Sequence, residues 1–153
     1  MTGSDLEFRH VDASPEDPVE TWPGEAIQAA LERGGLSDWR RLAAAIRADP
    51  WGRVARVVEE IAGWGELYGV DALMQRVIAS ARRDVDAAAR ARYAAVVRDA
   101  RARTGLSLRA FARLVGTSSS RMSEYERGRT APTTEVLGRI EDISGRHDRE
   151  RRR

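Results

Sequence analysis

Residues 105–144 read GLSLRAFARLVGTSSSRMSEYERGRTAPTTEVLGRIEDIS, and nowhere else in the 153-residue chain are helix starts and stops so closely spaced. Ser107 stands as a cap before a run whose apolar positions are Leu108, Phe111, Ala112, Leu114 and Val115, and Gly116 closes that run. Thr117 makes the turn. Ser118 caps a second helix, SSRMSEYER, in which Met122 and Tyr125 point inward while Ser119, Ser120, Arg121, Ser123 and Glu124 are left for solvent or a ligand. Gly128 ends it. Beyond Pro132, Thr133 caps a last helix with Val136, Leu137, Ile140 and Ile143 toward the core.

Working outward from this stretch, the hydrophobic period is helical everywhere from Trp22 onward, and no segment shows a period of two bounded by turn residues. An all-α fold follows. Pro23 suits the first turn of a helix running to about Arg33, with Ala26, Ile27, Ala30 and Leu31 on one stripe. Ser37 is read as the cap of a second helix, buried through Trp39, Leu42, Ala43 and Ile46, and Asp49-Pro50 as a stop followed at once by a new start. A third helix carries Val54, Val57, Val58 and Ile61 up to Gly63. From Val70 to Thr104 there is neither glycine nor proline, so one long helix of about 50 Å is favoured over a break near residues 84–92. Its apolar stripe over residues 70–90 is the candidate dimer surface. The tryptophans at 22, 39, 51 and 64 are read as core anchors of a helical bundle, with an aromatic cage or partner-binding patch as the alternative.

Charge divides the chain unevenly. All 26 basic residues are arginine, and lysine and asparagine are absent while alanine is abundant, as GC-rich bacterial coding would produce. Residues 1–20 hold six acids and one base, residues 21–90 hold ten of each, and residues 91–153 hold fifteen arginines against eight acids. The last segment is the one that faces a polyanion. The first twenty residues, with Pro15 and Pro18 and no sustained period, are expected to be a disordered acidic arm. Cysteine is absent, no apolar run approaches the roughly 18–20 residues that span a bilayer, and MTGSDLEFRHVDASPEDP is acidic where a signal peptide is basic and then apolar. A cytoplasmic, nucleoid-associated protein is expected.

Two short helices joined by a tight glycine-containing turn make a helix-turn-helix unit, whose second helix enters the major groove while the first crosses the backbone. Residues 93–143 resemble the five-helix lambda-repressor-like module of the Cro and Xre transcription regulators. The matching features are a first helix ending in Arg103-Thr104-Gly105, the A-x-x-V-G-T-S turn at residues 112–118, Ser123 seven residues after Gly116, and the Glu126-x-Gly128-x-x-x-Pro132 exit. The resemblance implies a scaffold pair between Arg101 and Glu126, and base-reading positions at Ser119, Ser120, Arg121 and Glu124. Arg121 suits bidentate recognition of guanine, and Glu124 suits acceptance from cytosine. Ser118 opens this helix and belongs to the same DNA-binding set, with phosphate contacts from Ser123, Arg129, Arg109 and Arg113. Leu108 stands where such modules often carry a glutamine, so that residue's backbone contact is expected to be missing or replaced.

The organisation expected is therefore an acidic arm over 1–20, a helical assembly or partner domain over 21–90, an Xre-type helix-turn-helix domain over 91–145 and a basic tail over 146–153. The expected partner is double-stranded DNA bound by a homodimer, because one such module covers only a short half-site. The expected role is a transcriptional regulator acting as a repressor. The alternative is an antitoxin-type protein that silences a co-encoded toxin through residues 22–90 and represses its own operon. No cofactor, metal or catalytic residue is expected: both histidines, His10 and His147, lie in the tails, Ser118–Ser120 has no base beside it, and Glu59-Glu60 diverge by about 100° on a helix.

Overall fold

In the computed structural model, which describes residues 6–153, the helices fall between the glycines and prolines that punctuate the sequence. They are α1 (Gly24–Arg33), α2 (Leu36–Ala48), α3 (Arg53–Ala62), α4 (Val70–Thr104), α5 (Leu108–Val115), α6 (Ser119–Glu126) and α7 (Thr134–Arg151), with a short 3-10 turn at Val19–Thr21. The described residues contain no strand. Residues through Asp84 form one compact unit and Val85–Arg153 a second, each with its own apolar cluster. Alanine-rich and free of breakers, α4 is unbroken for 35 residues and contributes to both units.

In the first unit α1, α2, α3 and the start of α4 enclose Trp22, Ile27, Leu31, Leu42, Ile46, Val58 and Met74, all fully buried. Gly35, not Ser37, caps α2: the Asp38 carboxylate accepts from the Gly35 N–H at 3.0 Å, and Ser37 lies exposed in the first turn. Likewise Pro50 belongs to a turn closed by the Gly52 N–H on the Asp49 carbonyl, and α3 starts beyond it.

The acidic arm is not disordered over its described part. Leu6 and Val19 are buried, Phe8 sits edge-on to Trp22 at 5.1 Å, and the Arg41 guanidinium donates to the carbonyls of Pro15 and Asp17 while lying over the Trp22 ring. A segment without a period can still order where a large ring offers apolar surface and an arginine satisfies its carbonyls. Residues 1–5 of that arm lie outside the described residues.

Two tryptophans depart from the core-anchor reading. Trp22 is wholly buried and Trp39 half-buried, its indole N–H donating to the Ala30 carbonyl, but Trp51 and Trp64 are 57% and 53% exposed. Arg82 explains Trp51. Its guanidinium lies 4.1 Å over the indole, bonds the Pro50 carbonyl, and forms a bidentate pair with Glu59 at 2.7 and 2.9 Å. Glu59, read from sequence as merely solvated, therefore ties α3 to α4, and the guanidinium's hydrogen bonds hold its carboxyl below the usual carboxylate range, with burial opposing.

The stripe offered as a dimer surface is largely used within the chain. Met74, Ile78 and Ala81 are buried in the first unit and Val70 and Val77 pack against them. Only Leu73, Val85 and Ala88 of that stripe stay exposed. Three helices with a narrow apolar face each cannot close a core alone, and α4 supplies the missing wall.

The second unit has four helices among its described residues where the resemblance implies five. Residues 146–151, expected to be a tail, continue α7 without a break. Two features favour this: Arg149 and Arg151 complement the helix's negative end, and Arg103 reaches Asp148 and the buried Ser144. Leu114, read as a core position, is 54% exposed.

Candidate nucleic-acid interface

The site is assembled by its caps. The side-chain oxygens of Ser107, Ser118 and Thr133 accept from the backbone N–H groups of Ala110, Arg121 and Val136 at 3.2, 3.1 and 3.3 Å, satisfying one orphan donor at the start of each helix. Gly116 closes α5 at φ 83°, a left-handed conformation that costs glycine little. Its N–H bonds the Ala112 carbonyl, as does that of Thr117, so the chain reverses within two residues and delivers Ser118 to the start of α6.

Burial then fixes which side of α6 looks outward. Met122 and Tyr125 are 0% and 3% exposed and pack with Phe111, Ala112 and Val115 of α5, Val97 of α4 and Ile140 of α7. At about 100° per residue, Ser120 and Glu124 lie on the opposite side, one turn apart. Ser119, Ser120, Arg121 and Glu124 are all exposed and Ser123 is half-buried. Two donors in this first turn, the N–H groups of Ser119 and Ser120, have no intrahelical acceptor, which suits an anionic oxygen.

The angle of α6 is held at its far end. Arg101 grips the Glu126 carboxylate through Nε at 2.5 Å and Nη2 at 3.3 Å, and its Nη1 donates to the Leu106 carbonyl. Glu126 is only 13% exposed and Arg101 31%, so the pair is mostly withdrawn from water. Hydrogen bonding to Glu126 raises the already high Arg101 pKa, with burial opposing, so the guanidinium stays charged. A second arginine, Arg98, donates to the Glu126 backbone carbonyl at 2.5 Å. Sequence reading missed it because a backbone acceptor carries no residue-specific signature.

The remaining candidates are distributed over two elements. Arg109 and Arg113 share the outer side of α5, one turn apart, and Arg129 lies in the loop that leaves α6, its N–H on the Glu124 carbonyl. Neither these three nor Arg121 has a carboxylate within ion-pair distance among the described residues. By contrast Arg103 and Arg139 are committed to Asp99, Asp148 and Glu135. Leu108 is half-buried against the core, so it offers no polar contact to a backbone. No group of His, Asp or Glu among the described residues could hold a metal ion, and no described helix is long and apolar enough to cross a membrane.

No curated protein and no solved structure matches the chain. A family of helix-turn-helix domains matches residues 92–153, which are the second half of α4 together with α5, α6 and α7. That segment is a helix-turn-helix DNA-binding domain of the Xre/Cro-like type.

Proposed function

We propose that the protein is a sequence-specific transcriptional regulator that represses by laying α6 in the major groove. The observation that carries this reading is the outward side of α6, with Ser120 and Glu124 opposite the buried Met122 and Tyr125 and Ser119 and Arg121 exposed on its flanks. Arg121 reads guanine through two parallel donors, Glu124 accepts from cytosine, and the serines contribute bonds with little base preference. Ser118, Ser123, Arg109, Arg113 and Arg129 contact phosphates, setting register and salt dependence. Because direct readout rests on so few side chains, DNA shape and a second subunit supply the rest of the specificity. The protein therefore works as a homodimer on a pseudo-palindrome.

Selection of bound duplexes from a random pool, with the mass of the protein measured in the same buffer, tests this. An inverted repeat with a guanine at equivalent half-site positions, bound by a dimer, is expected; enrichment of no sequence contradicts the reading.

One observation favours a second reading. The first unit exposes Trp64 by 53% and Tyr68 completely, in a loop that carries both rings out of the core. Exposed aromatic surface of this kind fits a protein partner, as in an antitoxin that also represses its own operon. Co-expression with the product of the neighbouring gene separates the two: a stable complex abolished by Trp64→Ala with Tyr68→Ala favours the second.

A further inference from the structure

The exit from α6 lies against α4. A Cβ built on Gly128 would stand 3.6 Å from the Arg90 carbonyl oxygen and 3.7 Å from the Ala94 Cβ, so the Arg127–Arg129 loop rests on the α4 backbone at residues 90–94. Further along the same edge of α4, Arg98 and Arg101 hold Glu126. Arg90, Ala94, Arg98 and Arg101 recur at three- and four-residue steps, which places them along one side of a helix.

Five arginines thus stand on the elements that meet at the end of the recognition helix, and the one carboxylate there, that of Glu126, is bonded by Arg101 alone. Arg98 and Arg101 have protein acceptors. Arg90, Arg127 and Arg129 have no carboxylate within ion-pair distance among the described residues; Asp86, one turn before Arg90, makes no bridge to it, and Glu124 is exposed on α6. Arg90 is nevertheless half-buried. Concentrated like charge without counter-charge is costly to the isolated protein and is relieved by a polyanion.

We infer that Arg90 and Arg127, beside Arg129, form a phosphate-binding ridge that grips the backbone of the same duplex whose groove α6 enters. Arg90 lies outside the matched segment, which begins at residue 92, so the ridge extends the interface onto the long helix. The inference rests on the proposed DNA-binding role and adds to it a second anchoring element, which sets affinity and register without reading bases.

The test is the salt dependence of binding by the full chain to a 30-base-pair duplex of mixed sequence, followed by fluorescence anisotropy. Each neutralised phosphate contributes about 0.9 to the slope of log affinity against log salt. Arg90→Gln and Arg127→Gln are each expected to lower that slope by about 0.9, so that each variant loses about 3.5-fold less affinity than the parent between 50 and 200 mM salt. Arg90→Lys, which keeps the charge, should restore the slope, and the base preference of selected sites should not move. An unchanged slope in Arg90→Gln overturns the ridge while leaving the regulator intact. An equal drop in Arg47→Gln, an exposed arginine of the first unit, also overturns it, because net charge alone would then account for the effect. Absence of any salt-dependent binding by the parent protein overturns the DNA-binding role and the ridge together.

Discussion

At the scale of single residues, the arginines of the second unit divide by what already occupies them. Arg98, Arg101, Arg103 and Arg139 are bonded through their side chains to acceptors of their own unit, whereas the guanidiniums of Arg121 and Arg129 have no acceptor among the described residues. Arg121→Ala should therefore cost about 1–3 kcal/mol on the preferred site and relax one base position, whereas Arg129→Ala should weaken all sequences alike. Competition binding with a panel of single-base variants checks this, and identical profiles for the two mutants would contradict the division. Glu126 is different in kind, because its removal strands the mostly buried Arg101. Glu126→Ala should lower stability by about 1–3 kcal/mol, less than for a fully buried pair, and Arg101→Ala in the same chain should recover part of the loss. Denaturant unfolding of the two singles and the double measures the coupling.

At the scale of elements, what could be read in advance depended on whether a signal was local. The caps at Ser107, Ser118 and Thr133, the left-handed Gly116 and the inward side of α6 were legible, because each depends on neighbours within one turn. The Arg101–Glu126 pairing came from the family resemblance, since nothing local joins residues 25 apart. Contacts between elements were not legible. The role of Glu59 needed Arg82, and the setting of Trp51 needed knowledge of where α4 lies. The α4 stripe illustrates the same limit: periodicity shows that a face is apolar, but not whether the cover is the chain's own α1–α3 or a second copy. The Glu59–Arg82 contact also sets a pH response. Because folding lowers the Glu59 pKa from its ordinary 4.5, its contribution is fully present above that value and is lost as pH falls through the lowered one. Thermal unfolding followed by tryptophan fluorescence should show Glu59→Gln less stable than the parent at pH 7, with the gap narrowing as pH falls below 4.5.

At the scale of the whole molecule, two units with separate cores share one uninterrupted helix. The second unit contains every residue assigned to DNA, and its cluster of Val97, Phe111, Val115, Met122 and Ile140 is closed without help from the first. A fragment comprising residues 85–153 should accordingly fold cooperatively and bind DNA weakly as a monomer. Circular dichroism and sedimentation check the first half of that statement, and undiminished affinity would remove any assembly role from the first unit. The arm shows the same dependence on distant partners. Its Leu6, Phe8 and Val11 follow no period, but the Trp22 ring and the Arg41 guanidinium give them a surface on which to settle. The central claim remains the placement of α6 in the major groove. Chemical methylation of guanine N7, which is reachable only from that groove, measures it most directly on a duplex selected by the protein. The account predicts protection of a guanine in each half-site by the parent protein and loss of that protection with Arg121→Ala; tight, sequence-selective binding that leaves every guanine N7 fully reactive would contradict it.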